Sequence, residues 1–151
     1  MSPDIHARIS ETVAKLLNEN RPNEIGAALN SVIPANASLE ERAGSLDQAV
    51  IYSLVAEQPG YPEDGRPGYL PSSANLKASV LDEIQAMIRA DFDKEEHRKV
   101  WESLAESVRN TPEGDFEPGV TVNCPDDYLL TLDRHTCGEL LRELNILPAW
   151  A

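Results

Sequence analysis

The sequence predicts an all-α or mainly α protein, built as a single-domain bundle of five to six helices. Two observations carry this prediction. Apolar residues recur at helical spacing through most of the chain, and Ser or Thr residues followed three positions later by Glu or Gln precede several of these segments. At 151 residues the chain is shorter than chains that usually divide, so residues 1–151 are expected to form one domain.

The first two helices are predicted from apolar spacing together with proline. Helix one covers Pro3–Asn18, because proline suits the first helical position and the apolar residues that follow it share one helical face. Helix two covers about Pro22–Ile33. It ends before Pro34, since a residue in front of proline disfavours helical geometry.

The third helix has two candidate starts. The segment SLEE at Ser38 and the segment SLDQ at Ser45 both fit a capping box, and Gly44 between them weakens one continuous helix. A break near Gly44 is therefore favoured, followed by a helix through Ala56. Its run AVIYSLVA is apolar on most sides, which predicts the central and most buried helix.

Two further helices are predicted after the middle of the chain, from about Ala74 to Ala90 and from an Asp93 cap to Asn110. Beyond them, VTV at 120–122 and YLLTL at 128–132 fit one short β-hairpin near 120–132. A helix that begins at Asp126 is the alternative.

A last helix is expected to begin near Cys137. Thr136 and Glu139 form another capping box directly around this position. Three leucines follow at a spacing that would turn them toward the core: Leu140, Leu141 and Leu144.

Two irregular segments interrupt the helical pattern. The loop at 57–73, EQPGYPEDGRPGYLPSS, holds four prolines, three glycines and two of the four tyrosines. It is too long for an ordinary helix–helix turn of about 2–8 residues. Its tyrosines either contact a partner or cover the core between the third and fourth helices. The loop at 111–127 is acidic and contains no Lys or Arg.

The formal net charge of −13 limits the classes of partner. An acidic excess argues against nucleic acid and against anionic membranes, because phosphates are neutralised by Lys and Arg. It is compatible with a basic protein partner, whose encounter it would accelerate, and equally with solubility alone.

Motifs for catalysis and cofactor binding are missing from the sequence. It contains no G-x-S-x-G, P-loop, G-x-G-x-x-G, H-E-x-x-H or C-x-x-C. Cys137 with His135 could form a nucleophile–base pair, and Cys124 could join them in a zinc site, but the spacing matches no standard zinc motif. No catalytic residue, metal ligand or cofactor is therefore predicted.

These observations favour a non-enzymatic acidic protein-binding module of inhibitor, immunity or adaptor type. The alternatives are an accessory subunit of a larger assembly, a Cys/His enzyme and a DNA mimic. The sequence shows no secretory signal and no apolar run long enough for a membrane helix, so a cytoplasmic protein is expected, and a homo-oligomer is compatible with it. The predicted partner-binding residues come from the two loops and the C-terminal tail: Tyr61, Asp64, Arg66, Tyr69, Glu113, Asp115, Glu117, Asp126, Asp127 and Trp150.

Overall fold

The computed structural model describes residues 3–57, 68–90, 95–112, 121–123 and 129–148. Helices dominate this part of the chain, and four strands form one sheet. The helices are α1 (Pro3–Asn18), α2 (Ile25–Val32), α3 (Leu39–Gln48), α4 (Leu76–Ala90), α5 (Glu95–Asn110) and α6 (Cys137–Glu143). The strands are β1 (Val50–Glu57), β2 (Gly68–Pro71), β3 (Thr121–Asn123) and β4 (Leu129–Thr136).

The predicted mainly α class is confirmed, but the sheet is larger than the one short hairpin that was expected. Its strand order is β2-β1-β4-β3. The predicted hairpin near 120–132 is present, since β3 pairs antiparallel with β4 and Val122 lies opposite Leu130. The prediction missed both β1 and β2.

The predicted helix through Ala56 is wrong, because Val50–Glu57 is a strand. Its apolar run is rich in β-branched and aromatic residues, and a short buried strand cannot be told from a buried helix by periodicity alone. The preceding helix α3 begins at the Ser38 capping box and continues through Gly44 without the expected break. Gly68–Pro71, predicted as loop, is the strand β2.

Other helix boundaries follow local caps. The Asn75 side-chain oxygen accepts a hydrogen bond from Ala78 N at 3.0 Å, which starts α4 at Leu76 rather than at Ala74. Before α2, Pro22–Glu24 forms a 3-10 turn. The predicted Asp93 cap of α5 lies outside the described residues.

The chain divides into two compact units. One contains Met1–Ser53, Gly68–Ser73 and Arg134–Ala151, and the other contains Leu54–Pro67 and Ala74–Asp133. The division passes through β1 and β4. One domain over 1–151 stays a prediction.

The first unit has an apolar core built from α1, α2, α3, α6 and the two strands β1 and β2. Ser10 is a fully buried polar residue of α1; its hydroxyl donates to Val50 O and accepts from Ser72 N at 2.8 Å. Leu140 and Leu141 are buried as predicted, whereas Leu144 is 40% exposed and does not face the core. The most buried apolar members of this core are Ile9, Val13, Ile25, Leu29, Leu46, Ile51, Cys137 and Leu141.

The second unit contains α4 packed against α5. Trp101 of α5 is 2% exposed and is the largest of the fully buried side chains among the described residues. The Lys77 ammonium donates to Arg109 O and Thr111 O at 2.6 and 2.7 Å. A cation near the first turn of α4 thus satisfies carbonyl groups at the end of α5.

Candidate functional site

The candidate site lies in the first unit, at the corner between α2 and α3. One side chain, Arg42, holds this corner. Its guanidinium donates to Asn30 Oδ1 at 3.1 Å and to three backbone oxygens of the connecting segment at 3.3–3.4 Å, those of Pro34, Ala35 and Ala37. A planar group with five donors can join several acceptors in this way, so the connection between the helices is tied to α3 itself.

The start of α3 is fixed by reciprocal capping. Glu41 N donates to Ser38 Oγ at 3.1 Å, and Ser38 N donates to Glu41 Oε1 at 3.3 Å. The first helical residue, Leu39, is 65% exposed, more than the other large apolar residues reported as exposed, Val100 at 53% and Leu144 at 40%. The fold therefore exposes the apolar side chain of Leu39 to solvent at a helix start that is fixed by the Ser38–Glu41 capping box and by the hydrogen bonds of Arg42.

An open cleft of about 380 Å³ runs along α3 from this corner. Ser45 is buried in its wall and donates through its hydroxyl to Glu41 O at 2.8 Å. Within the described ranges neither Glu40 nor Glu41 forms an ion pair. The lining residues are His6 from α1 and Glu40, Glu41, Gly44, Ser45 and Gln48 from α3. We call Leu39 together with this cleft the α3 surface.

The α3 surface has the chemistry of a contact site. The exposed Leu39 supplies apolar area, the carboxylates of Glu40 and Glu41 in the same first turn attract cations on the side of α3 that lines the cleft, and the capped corner restricts the motion of the chain that carries them. Sequence reasoning missed this surface, although the segment SLEE already contained both the cap and the apolar–acidic sequence.

Most of the predicted contact residues lie outside the part of the chain that the structure describes. They are Tyr61, Asp64, Arg66, Glu113, Asp115, Glu117, Asp126, Asp127 and Trp150. As contact residues they stay predictions.

Tyr69 is the predicted contact residue that the structure describes. It is 8% exposed and belongs to the core of the first unit. Burial, together with the carboxylate of Glu143, raises the pKa of its hydroxyl. The Tyr69 ring is thus part of the core of the first unit, and we do not include it in the α3 surface. As a contact residue Tyr69 stays a prediction.

Cys137 and His135 have separate environments. Cys137 is a free, fully buried cysteine, and burial raises the pKa of its thiol to about 12. It is thus a neutral thiol at pH 7, whereas nucleophilic cysteines need a thiolate. His135 Nε2 lies 2.8 Å from the Ser53 hydroxyl, a contact between neighbouring strands.

Among the described residues, no cluster of three or more His, Cys, Asp or Glu is arranged so that it could hold a metal ion. Cys124, the other member of the conceivable zinc set, lies outside those residues. Within the same limits, no helix has both the length and the apolar character needed to cross a membrane.

Comparison with known proteins found no matching family model, no matching curated protein and no matching solved structure.

Proposed function

We propose that this chain is a non-enzymatic acidic protein-binding module of inhibitor, immunity or adaptor type, and that it contacts a basic partner protein in the cytoplasm. The observation that carries the proposal is Leu39, 65% exposed on a capped helix start and followed by two carboxylates that form no ion pair with any described residue. The net charge of −13 supports the choice of a basic partner.

The two parts of the α3 surface have different roles in the proposal. Glu40 and Glu41 would steer the approach of Lys and Arg side chains, an effect that salt screens over about 10 Å at 0.1 M. Leu39 would lose water on contact and so slow dissociation. Because Arg42 and Ser38 already order the corner, little conformational entropy would be lost when the partner binds.

An enzyme based on Cys137 is a weaker proposal, since the thiol is buried and neutral. An accessory subunit would associate with the other components of a larger assembly instead of with one basic protein, and salt would affect that complex differently. An assembly that survives high salt and ignores the α3 surface would favour that alternative.

The test is capture of a partner from the source lysate at low and at moderate salt, with three forms of the chain. The first is unchanged, the second carries Leu39→Ser and Glu40→Gln, and the third carries Leu144→Ser and Glu106→Gln. The third is the matched control, because Leu144 and Glu106 are also exposed but lie at the C-cap of α6 and on α5. Glu41 is left intact because it caps α3.

We expect the unchanged chain and the control to retain one basic protein that is lost as salt rises, and the Leu39/Glu40 variant to retain much less of it. Equal recovery by all three forms would overturn the α3 surface as the contact site. Recovery of only acidic partners, or of none at low salt, would overturn the binding-module proposal itself.

A further inference from the structure

The outer edge of β2 is closed by a side chain. In the strand order β2-β1-β4-β3, β2 is one of the two edge strands. Tyr69 N donates to Asn18 Oδ1, and Asn18 Nδ2 donates to Tyr69 O, both at 2.8 Å. The N–H and C=O of one strand residue point to the same side, so these groups face α1 and point away from β1.

The next outward position on this edge is Pro71, two residues farther along β2. Proline has no N–H to offer to a further strand. Directly after the strand, Ser72 N is already bound to Ser10 Oγ at 2.8 Å. Of the two outward positions of β2, Tyr69 therefore has its N–H occupied and Pro71 has none.

We infer that Asn18 prevents the outer edge of β2 from pairing with a second copy of this chain, and that Pro71 weakens such pairing further because it offers no N–H. An exposed edge presents a row of unpaired backbone groups, and an identical edge is a complementary partner for it in an antiparallel, two-fold arrangement. The Asn18 carboxamide has one donor and one acceptor side by side, so it occupies the Tyr69 positions that such a neighbour would use.

This inference is independent of the proposed function, because it concerns β2 and α1 rather than the α3 surface. It assigns Asn18 a second effect beside fold stability, namely control of self-association. If Asn18 only stabilised the fold, its replacement would lower the stability of the monomer and leave the molecular mass in solution unchanged.

The experiment compares the unchanged chain with the double variant Asn18→Ala, Pro71→Val, which frees the Tyr69 groups and restores an N–H at position 71. Asn23→Ala is the control, because Asn23 is an exposed asparagine of the 3-10 turn. Molecular mass is followed by light scattering over a range of protein concentrations at moderate salt, which screens the repulsion between acidic chains. Amide hydrogen exchange at Tyr69 is followed in the same samples.

We expect the double variant to double in mass as its concentration rises. Its Tyr69 amide should exchange faster than in the unchanged chain when dilute and become protected again when concentrated. The unchanged chain and Asn23→Ala should keep one mass and a protected Tyr69 amide throughout. A double variant that stays monomeric, or that associates with Tyr69 still exchanging rapidly, would overturn the inference.

If the double variant does not fold, the single variants decide. Asn18→Ala alone should show concentration-dependent protection at Tyr69, and Pro71→Val alone should remain monomeric because Asn18 still occupies the edge. Self-association of Pro71→Val with Asn18 in place, or no concentration dependence in Asn18→Ala, contradicts the inference.

Discussion

The side-chain carboxamide of Asn18 hydrogen-bonds both backbone polar groups of Tyr69, each at 2.8 Å, across 51 residues of sequence. Tyr69 is itself 8% exposed, so its N–H and C=O have little access to water. A buried backbone group without a partner loses about 1–3 kcal/mol of stability. The pair thus ties the last turn of α1 to β2 in the first unit.

Replacing Asn18 by Ala is expected to lower the free energy of unfolding by about 1–3 kcal/mol, because both Tyr69 groups lose their partner. Urea unfolding in dilute solution measures this loss. Asn23→Ala, at an exposed position, should change stability by no more than about 0.5 kcal/mol. Equal midpoints for the two variants would mean that the carboxamide adds nothing to stability.

Replacing Ser10 is expected to lower the free energy of unfolding about as much as replacing Asn18. Ser10→Ala removes the hydroxyl that donates to Val50 O and accepts from Ser72 N in a fully buried position. We expect a loss of about 1–3 kcal/mol in the free energy of unfolding, measured by urea titration. The exposed Ser31 of α2 provides the control, since Ser31→Ala should be almost neutral. A near-neutral Ser10→Ala would show that water or a shift of the chain replaces both bonds.

The correct sequence predictions rest on local signals. The bounds of α1, the capping box at Thr136 and the hairpin between β3 and β4 depend on residues that are close in sequence. In the cap, Glu139 N donates to Thr136 Oγ1 at 3.2 Å, a contact that the four-residue pattern predicts directly.

The errors arise where distant contacts decide the structure. The run after Ala49 is a strand because it is paired in the sheet with β2 and β4, and its first residue, Val50, accepts a hydrogen bond from Ser10, which lies 40 residues away. No window of the sequence contains that information. The burial of Tyr69 could not be predicted for the same reason, since its place in the core depends on α1.

The α3 surface could be predicted in part. Ser38 was one of two predicted capping-box starts, and the structure has the cap there. The cleft could not be predicted, because it depends on His6 from α1 lying beside α3.

Two glycines should respond differently to alanine. At Gly44, in α3, an added Cβ meets no atom within 4 Å, so Gly44→Ala should stabilise the protein by about 0.5–1 kcal/mol through helix propensity. At Gly138 an added Cβ would overlap Asp47 Oδ1. That carboxylate bonds Arg142 at 2.7 Å, so Gly138→Ala must displace it and should gain less than Gly44→Ala.

A double-mutant cycle between Gly138→Ala and Arg142→Ala tests the displacement, with stability read from chemical denaturation. In the original chain Arg142→Ala should cost about 0.2–1 kcal/mol, the usual value of an exposed ion pair. In the Gly138→Ala chain the same change should cost almost nothing, because the pair is already broken. Strict additivity would show that Asp47 keeps its position.

The raised pKa of the buried Cys137 thiol is expected to make the protein less stable at high pH. Its pKa is raised by burial from 9.0 to about 12, so between these values the unfolded chain releases this proton and the folded chain retains it. The stabilisation that the neutral Cys137 thiol gives the folded state is therefore fully present below pH 9. The free energy of unfolding falls as the pH rises toward 12, by up to about 1.4 kcal/mol per pH unit. Urea unfolding at pH 8, 9.5 and 10.5 on the original chain and on Cys137→Ala should show the original chain losing more stability with pH. Because both chains share every other titrating group, parallel losses would mean that the buried thiol ionises without unfolding.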